Sequence, residues 1–223
     1  MPEPADPTAF VLANTVVAAP PLVPEIKLRL TSEITPLWHA TEASLKRDQL
    51  PPPYWAFAWA GGQALARHIL AHPDLVRGRS VLDFGAGSGV VAIAAAISGA
   101  RVTAAEIDPF AAAAIALNAG LNKVEIAIER GDVIGREPVP WQIVLAGDMC
   151  YERPLAERLT EWLRALAARG VTVLLGDPGR AYLPGEGLEA LARYDVPTPL
   201  ELEDRTSREG VVWRLRETAP SGD

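Results

Sequence analysis

Leu65, Ala66, Ile69 and Leu70 recur at helical spacing between Gln63 and His72, and Pro73 stops the run, which predicts an amphipathic helix. Val81-Leu82-Asp83-Phe84 reads as a short buried strand that leads into Gly85-Ala86-Gly87-Ser88-Gly89. From there the periods alternate. A helix is expected over 90–98, closed by Gly99, then a strand over 101–107. Asp108-Pro109 reads as an N-cap followed by a first-turn proline, opening a helix that ends near Gly120. Third, fourth and fifth strands are expected over 125–128, 142–145 and 171–175. Leu155, Leu159, Trp162, Leu163 and Leu166 share one face of a helix stopped by Gly170. A further helix is expected around 188–192. Val211, Trp213 and Leu215 alternate with Val212, Arg214 and Arg216, the pattern of an antiparallel strand at or near a sheet edge.

The start of the chain is less regular. Asp6-Pro7 reads as the cap of a short helix, Pro20, Pro21 and Pro24 force extended chain, and Ile26, Leu28 and Leu30 alternate as in a short strand. Pro51-Pro52-Pro53 breaks the chain before the aromatic cluster Tyr54-Trp55-Ala56-Phe57-Ala58-Trp59. Strands alternating with helices imply an α/β fold, a mostly parallel sheet covered on both faces. The expected organisation is an N-terminal arm over 1–53 that packs on the core and can cover the substrate site, a main domain over 54–218, and a tail over 219–223.

Composition narrows the function. The chain has 223 residues, 49% hydrophobic and 22% charged, as expected of one soluble domain. Lys and Arg number 21 against 28 Asp and Glu, a net charge of -7, which argues against a nucleic-acid backbone as partner. Cys150 is the sole cysteine, so no internal disulfide or cysteine-rich metal site forms. His39, His68 and His72 make no HExxH pair. The first basic residue is Lys27 and no apolar run reaches ~18 residues, so a cytoplasmic chain without a membrane span is expected. No long apolar strip is left over, which favours a monomer.

The chemistry concentrates at the strand ends. Gly85-x-Gly87-x-Gly89 lacks the third glycine of a dinucleotide fingerprint, since Val90 stands next, and no GK[ST] follows. Asp83 beside that turn is ill suited to a pyrophosphate. A cationic cofactor without phosphate fits better, and S-adenosylmethionine is the one with that chemistry. Asp83 is placed to hold its ammonium through water, the loop amides its carboxylate, and Glu106 at the end of the second strand its ribose hydroxyls. Asp108 competes for the ribose but reads better as an N-cap. Asp132, after the third strand, is placed to accept from the adenine amine. At the fourth strand end stand Gly147-Asp148-Met149-Cys150-Tyr151. No Asn/Asp-Pro-Pro-aromatic or Pro-Cys motif is present there, and Cys150 reads as packing.

The stations Gly85, Glu106 and Asp132 resemble the cofactor site of the seven-strand, Rossmann-like methyltransferases, whose sheet ends in a reversed hairpin with one antiparallel strand. Asp148-x-x-Tyr151 resembles the D-x-x-Y signature of the family 16 protein methyltransferases, most of which modify lysine. The segment from Tyr54-Trp55-Ala56 to Trp59-Ala60-Gly61-Gly62-Gln63 is similar to that family's pre-loop region, though Ala60 stands where a proline is common. Leu22-Val23-Pro24-Glu25-Ile26, Gly147-Asp148-Met149 and Gly176-Asp177-Pro178-Gly179-Arg180 are similar to the branch that methylates the electron transfer flavoprotein β subunit. The resemblance implies S-adenosyl-L-methionine as cofactor, S-adenosyl-L-homocysteine (SAH) as product and that β subunit as substrate. It also implies Asp148 and Tyr151 as catalytic residues. Trp59, Asp83, Gly85, Ala86, Gly87, Glu106, Ile107 and Asp132 then bind the cofactor, and Trp55 and Arg180 bind the substrate, Arg180 through an acidic partner surface. Two other readings stay open from the residues: a methyltransferase for a ribosomal protein or a small amine, for which residues 1–50 leave room for a lid, and a catalytically silent cofactor-binding module.

Overall fold

The computed structural model describes residues 6–31, 52–137, 139–198 and 206–216. Residues 39 and 51, much of the arm over 1–53 with its lid segment, and the tail over 219–223 lie outside them. Helix α1 (Pro7–Asn14) starts where Asp6 accepts from the Thr8 amide. Strands β1 (Val16–Ala18) and β2 (Leu28–Leu30) form a small antiparallel pair, of which only the second is legible in the sequence. Helix α2 (Ala60–Ala71) then leads into the main sheet.

That sheet contains β3 (Ser80–Phe84), β4 (Arg101–Glu106), β5 (Ala127–Arg130), β6 (Ile143–Gly147), β7 (Thr172–Asp177), β8 (Leu188–Pro197) and β9 (Ser207–Leu215). The spatial order is β5-β4-β3-β6-β7-β9-β8. The β5-to-β7 strands pair in parallel, and β9 runs antiparallel to both β7 and β8, so it is the one reversed strand. The order reverses between β3 and β4 on one side and β6 on the other, which opens a crevice beyond their carboxyl ends.

Helices α3 (Val90–Ile97), α4 (Pro109–Leu121) and α5 (Arg153–Ala168) complete the layers. One core packs α2 and α3 on the sheet through Leu65, Ile69, Ile93, Val81 and Leu145. The opposite face buries Leu159, Trp162, Leu163 and Leu166 of α5 against Leu82, Val144 and Val173. Fully burying each such side chain contributes about 1.5–3 kcal/mol, so both faces are strongly held. A third, smaller core joins Val11 to Trp55, Ala56, Phe57 and alanines of α4.

Two expectations change. The helix expected at 188–192 is strand β8, whose Leu188 to Pro197 pair with Leu215 back to Ser207 across an irregularity at Ala190/Ala192. Leu, Ala and Glu favour a helix locally, but a long hairpin with β9 supplies backbone partners and packing that outweigh a few tenths of a kcal/mol per residue. The third strand lies at Ala127–Arg130, later than its apolar residues indicate, because its pairing is with Thr103–Glu106 of β4.

Candidate active site

A pocket of about 540 Å³ opens over the carboxyl ends of β3, β4 and β6. Its floor is the turn after β3. Gly85, Gly87 and Gly89 have φ of 64°, 53° and 78°, the left-handed region that glycine adopts without strain. A Cβ on Gly85 would also lie 2.3 Å from the Met149 sulfur, so the present packing of the Met149 side chain on the turn uses the space that atom would take.

Glu106 ties this turn to β4. Its Oε2 accepts from the Gly87 amide at 3.0 Å, and its Oε1 from the amides of Ile107 at 2.7 Å and Asp108 at 3.1 Å. Asp108 caps α4 through the Phe110 amide, as its sequence context predicts, and also lines the pocket. Burial, opposed by that amide, pushes its carboxyl up to about 6. Asp132 faces the pocket from the loop after β5. It accepts from the Ile134 amide at 2.9 Å and from Arg158 of α5 at 2.7 Å. Burial raises its pKa, but the Ile134 amide and the Arg158 guanidinium together outweigh burial and hold it below the ordinary value.

At the other end, β6 stops at Gly147 and Asp148 takes a left-handed φ of 57°, with its amide donating to the Gly176 carbonyl at 2.8 Å. A non-glycine residue there stores about 1–3 kcal/mol of strain, which its contacts must offset. The Asp148 Oδ2 accepts from the Gly62 amide in the first turn of α2 at 2.8 Å. Its Oδ1 accepts from Arg180 Nε at 3.2 Å and Nη2 at 2.9 Å. Burial pushes the Asp148 carboxyl up to about 6, Asp177 adding to that and Arg180 and the Gly62 amide working against it. The Arg180 guanidinium carbon lies 5.4 Å from the Trp59 ring centroid.

Aromatic rings wall the mouth. Trp59 donates from Nε1 to the Tyr54 carbonyl at 2.8 Å, and Tyr54 stands 5.9 Å from Trp59 and 5.4 Å from Tyr151 by ring centroids. Tyr151 is 41% exposed, so its ring is available to a ligand. Burial of its hydroxyl, helped by Tyr54, Glu152 and Glu106, pushes that group up to about 12 and keeps it a neutral donor at pH 7.

Of the residues singled out from the sequence, Trp55, Trp59, Gly85, Gly87, Glu106, Ile107, Asp132, Asp148, Tyr151 and Arg180 line this one pocket. Trp55 is largely buried in the third core and presents only part of its surface to the pocket. Ala86 and Asp83 do not line it. The Asp83 carboxylate lies under the turn, accepts from the Ala92 amide at 2.9 Å and is pushed up to about 8 by burial, with Glu106 adding to the rise. Arg180 turns inward to Asp148. Cys150 is buried, and burial with the charges of Asp177 and Asp148 pushes its thiol up to about 12, which leaves it unreactive packing.

Tyr54, Arg158, Gly61 and Gly62 were not singled out as site residues. Tyr54 belongs to the aromatic cluster and could have been found there. Arg158 is an ordinary polar position on α5, and nothing in its spacing marks it.

The lining carries four carboxylates, Glu106, Asp108, Asp132 and Asp148, against two guanidiniums, Arg158 and Arg180, each already paired with one of them. Such a lining suits a cationic nucleoside and repels a phosphorylated one. The glycine cradle, Glu106 and Asp132 therefore fit S-adenosylmethionine.

A family model described as ribosomal protein L11 methyltransferase (PrmA) matches residues 68–174. The chain is 43% identical over 216 residues to the electron transfer flavoprotein beta subunit lysine methyltransferase of Homo sapiens, spanning 92% of this chain and 80% of that protein. The Xenopus laevis protein of the same description is 40% identical over 217 residues, spanning 93% of this chain and 86% of that protein. Among solved structures, magnesium protoporphyrin IX methyltransferase (ChlM) from Synechocystis PCC 6803 with bound SAH matches at a TM-score of 0.52. That match has 17% identity, covers 70% of this chain and 83% of that one, and speaks for the fold alone. Among the described residues no helix is long and apolar enough to cross a membrane.

Proposed function

The chain belongs to the electron transfer flavoprotein β-subunit lysine methyltransferases, and from that membership we propose that it methylates lysine side chains of an electron transfer flavoprotein β subunit. When bound, S-adenosylmethionine supplies an electrophilic methyl group on a sulfonium. The observation that carries the reading is that one pocket joins an anionic glycine cradle to a buried carboxylate, Asp148, behind an aromatic mouth.

On this reading Gly85, Gly87, Glu106, Ile107 and Asp132 hold the nucleoside, and Trp59 closes the side of the pocket nearest Asp148. Tyr54, Tyr151 and Trp55 flank the aliphatic stem of the lysine. Presenting a neutral lysine amine at pH 7 costs about 4–5 kcal/mol from its free pKa of ~10.4. A dry channel lowers that cost by disfavouring the ammonium. Asp148 orients the amine and passes its proton outward, and alignment of the two reacting atoms does most of the catalytic work.

The test is transfer of labelled methyl from S-adenosylmethionine to purified electron transfer flavoprotein, with the modified residues mapped by mass spectrometry. Label on lysines of the β subunit, reduced about a hundredfold or more in Asp148→Ala with SAH affinity retained, is the expected result. Label only on small amines, or an Asp148→Ala variant as active as the parent, overturns the reading.

A further inference from the structure

Arg180 occupies a position that the reaction as described above does not use. Asp177 ends β7, and its Oδ1 accepts from the amides of Gly179 at 2.7 Å and Arg180 at 2.6 Å, closing a tight turn in which Gly179 has φ 87°. That turn sends the Arg180 side chain back across the strand ends to Asp148, with its guanidinium over Trp59. The pair is well shielded, the two side chains being 19% and 9% exposed.

An ionised carboxylate has about four lone-pair directions. Gly62 takes one on the Asp148 Oδ2, and the Arg180 Nε and Nη2 take both on Oδ1. One direction, on Oδ2, is left. We propose that Arg180 is a positioning residue for methyl transfer: by saturating Oδ1 it holds the Asp148 carboxylate ionised and still, with a single acceptor direction for the lysine amine. The inference rests on the reading of Asp148 as the group that orients that amine. A carboxylate with both oxygens open would accept the amine in several poses, and only one aligns the nitrogen for in-line attack.

The groups around Asp148 make Arg180 the decisive one. Asp177 at the end of β7 and Asp148 itself are both acidic, Cys150 stays a neutral thiol, and the Gly62 amide is the contribution of α2. Arg180 is the cation among them. Losing it leaves burial and Asp177 acting together, so the carboxyl moves further up from about 6 and takes a proton at neutral pH.

The experiment follows the Asp148 carboxyl carbon by NMR across pH 4–9 in the full chain, identified by its loss in Asp148→Asn. Arg180→Met is expected to raise the midpoint by about one pH unit or more, and Arg180→Lys to restore much of it. In parallel, Arg180→Met should lower kcat about tenfold at pH 7 with little change in KM, and the deficit should shrink at pH 9. Calorimetric affinity for SAH should stay within about threefold, which a general structural failure would not allow. Coincident titrations in the parent and Arg180→Met overturn the proposal, as does a displaced titration with unchanged kcat. Absence of any transfer by the parent chain overturns the substrate reading instead, while the titration still decides whether Arg180 governs Asp148.

Discussion

Replacing Gly61 by alanine puts a Cβ 2.2 Å from the Gly176 carbonyl oxygen, 2.6 Å from its carbon and 2.7 Å from Asp148 Oδ2. Two of those atoms are backbone of a central strand and cannot swing aside. Gly61 has no left-handed φ, so the whole penalty is steric. Restoring ordinary contact near 3.4 Å requires the start of α2 to retreat from β7 by roughly 1 Å. The same retreat stretches the 2.8 Å bond from the Gly62 amide to Asp148 beyond hydrogen-bonding range. Overpacking costs about 1–3 kcal/mol, and a lost bond to a buried charge about 1.5–3. Because one movement relieves the first by incurring the second, a net loss of about 2–4 kcal/mol is expected. For a chain of this size that lowers Tm by about 4–16 °C. Gly120→Ala is the control. It lies in α4, a Cβ there meets nothing within 4 Å, and relief of helix entropy should stabilise by about 0.5–1 kcal/mol. Thermal unfolding of both variants, followed by circular dichroism, is the assay. A Gly61→Ala midpoint within 2 °C of the parent, or equal shifts in both variants, would refute the contact argument.

Glu106→Ala removes the acceptor for the amides of Gly87, Ile107 and Asp108 and loosens the Gly87 end of the cradle, while Gly85 and Ala86 stay bonded to the Ala105 carbonyl of β4, so SAH affinity measured by calorimetry should fall about 10–100-fold; a change under about threefold would contradict this. Asp83 keeps its proton up to about 8 in the folded chain but loses it near 3.8 when unfolded. Between those values the native state binds more protons, so this group makes stability fall as pH rises. Asp83→Asn keeps an acceptor for the Ala92 amide and does not titrate. Urea unfolding should therefore show the variant gaining on the parent from pH 5 to pH 8, and an equal gap at both pH values would sink the assignment.

Most of the sheet was legible because its strands carry their own signals. Val81, Leu82 and Phe84 are buried on both faces of a strand interrupted only by Asp83 and closed by a glycine turn, and the caps Asp6 and Asp108 mark their helices by chemistry that acts over two residues. Strand β8 was not legible, because its Leu188–Ala192 stretch has helix-forming composition and becomes a strand only through pairing with β9, which sets Leu188 opposite Leu215. Strand β1 is three residues long with two of them exposed, too short to show a period. Asp83 shows a different limit. Its place in the motif is plain, but whether a carboxylate at that point faces a ligand or the underside of a helix depends on side-chain direction, and it faces the Ala92 amide.

The two ends of the site differ in the same way. The cradle is local: Gly85, Gly87 and Glu106 lie within about one strand–helix–strand unit, so glycine spacing and a strand end suffice to find them. The Asp148 end is assembled from distant parts. Gly62 reaches it across 86 residues and Arg180 across 32, and neither contact has a sequence period. What brings them together is the absence of side chains. Gly61 against Gly176, and Gly62 against Gly147, would each be separated by a Cβ that stands within 3.0 Å of backbone. Those glycines set how close α2 comes to β6 and β7, and that distance sets whether a helix amide can hold Asp148 from one side while Arg180 holds it from the other. The precision of the Asp148 end thus comes from backbone packing beneath it, which is why a methyl group added at Gly61, outside the pocket lining, should disturb Asp148 as surely as a change of Arg180 does.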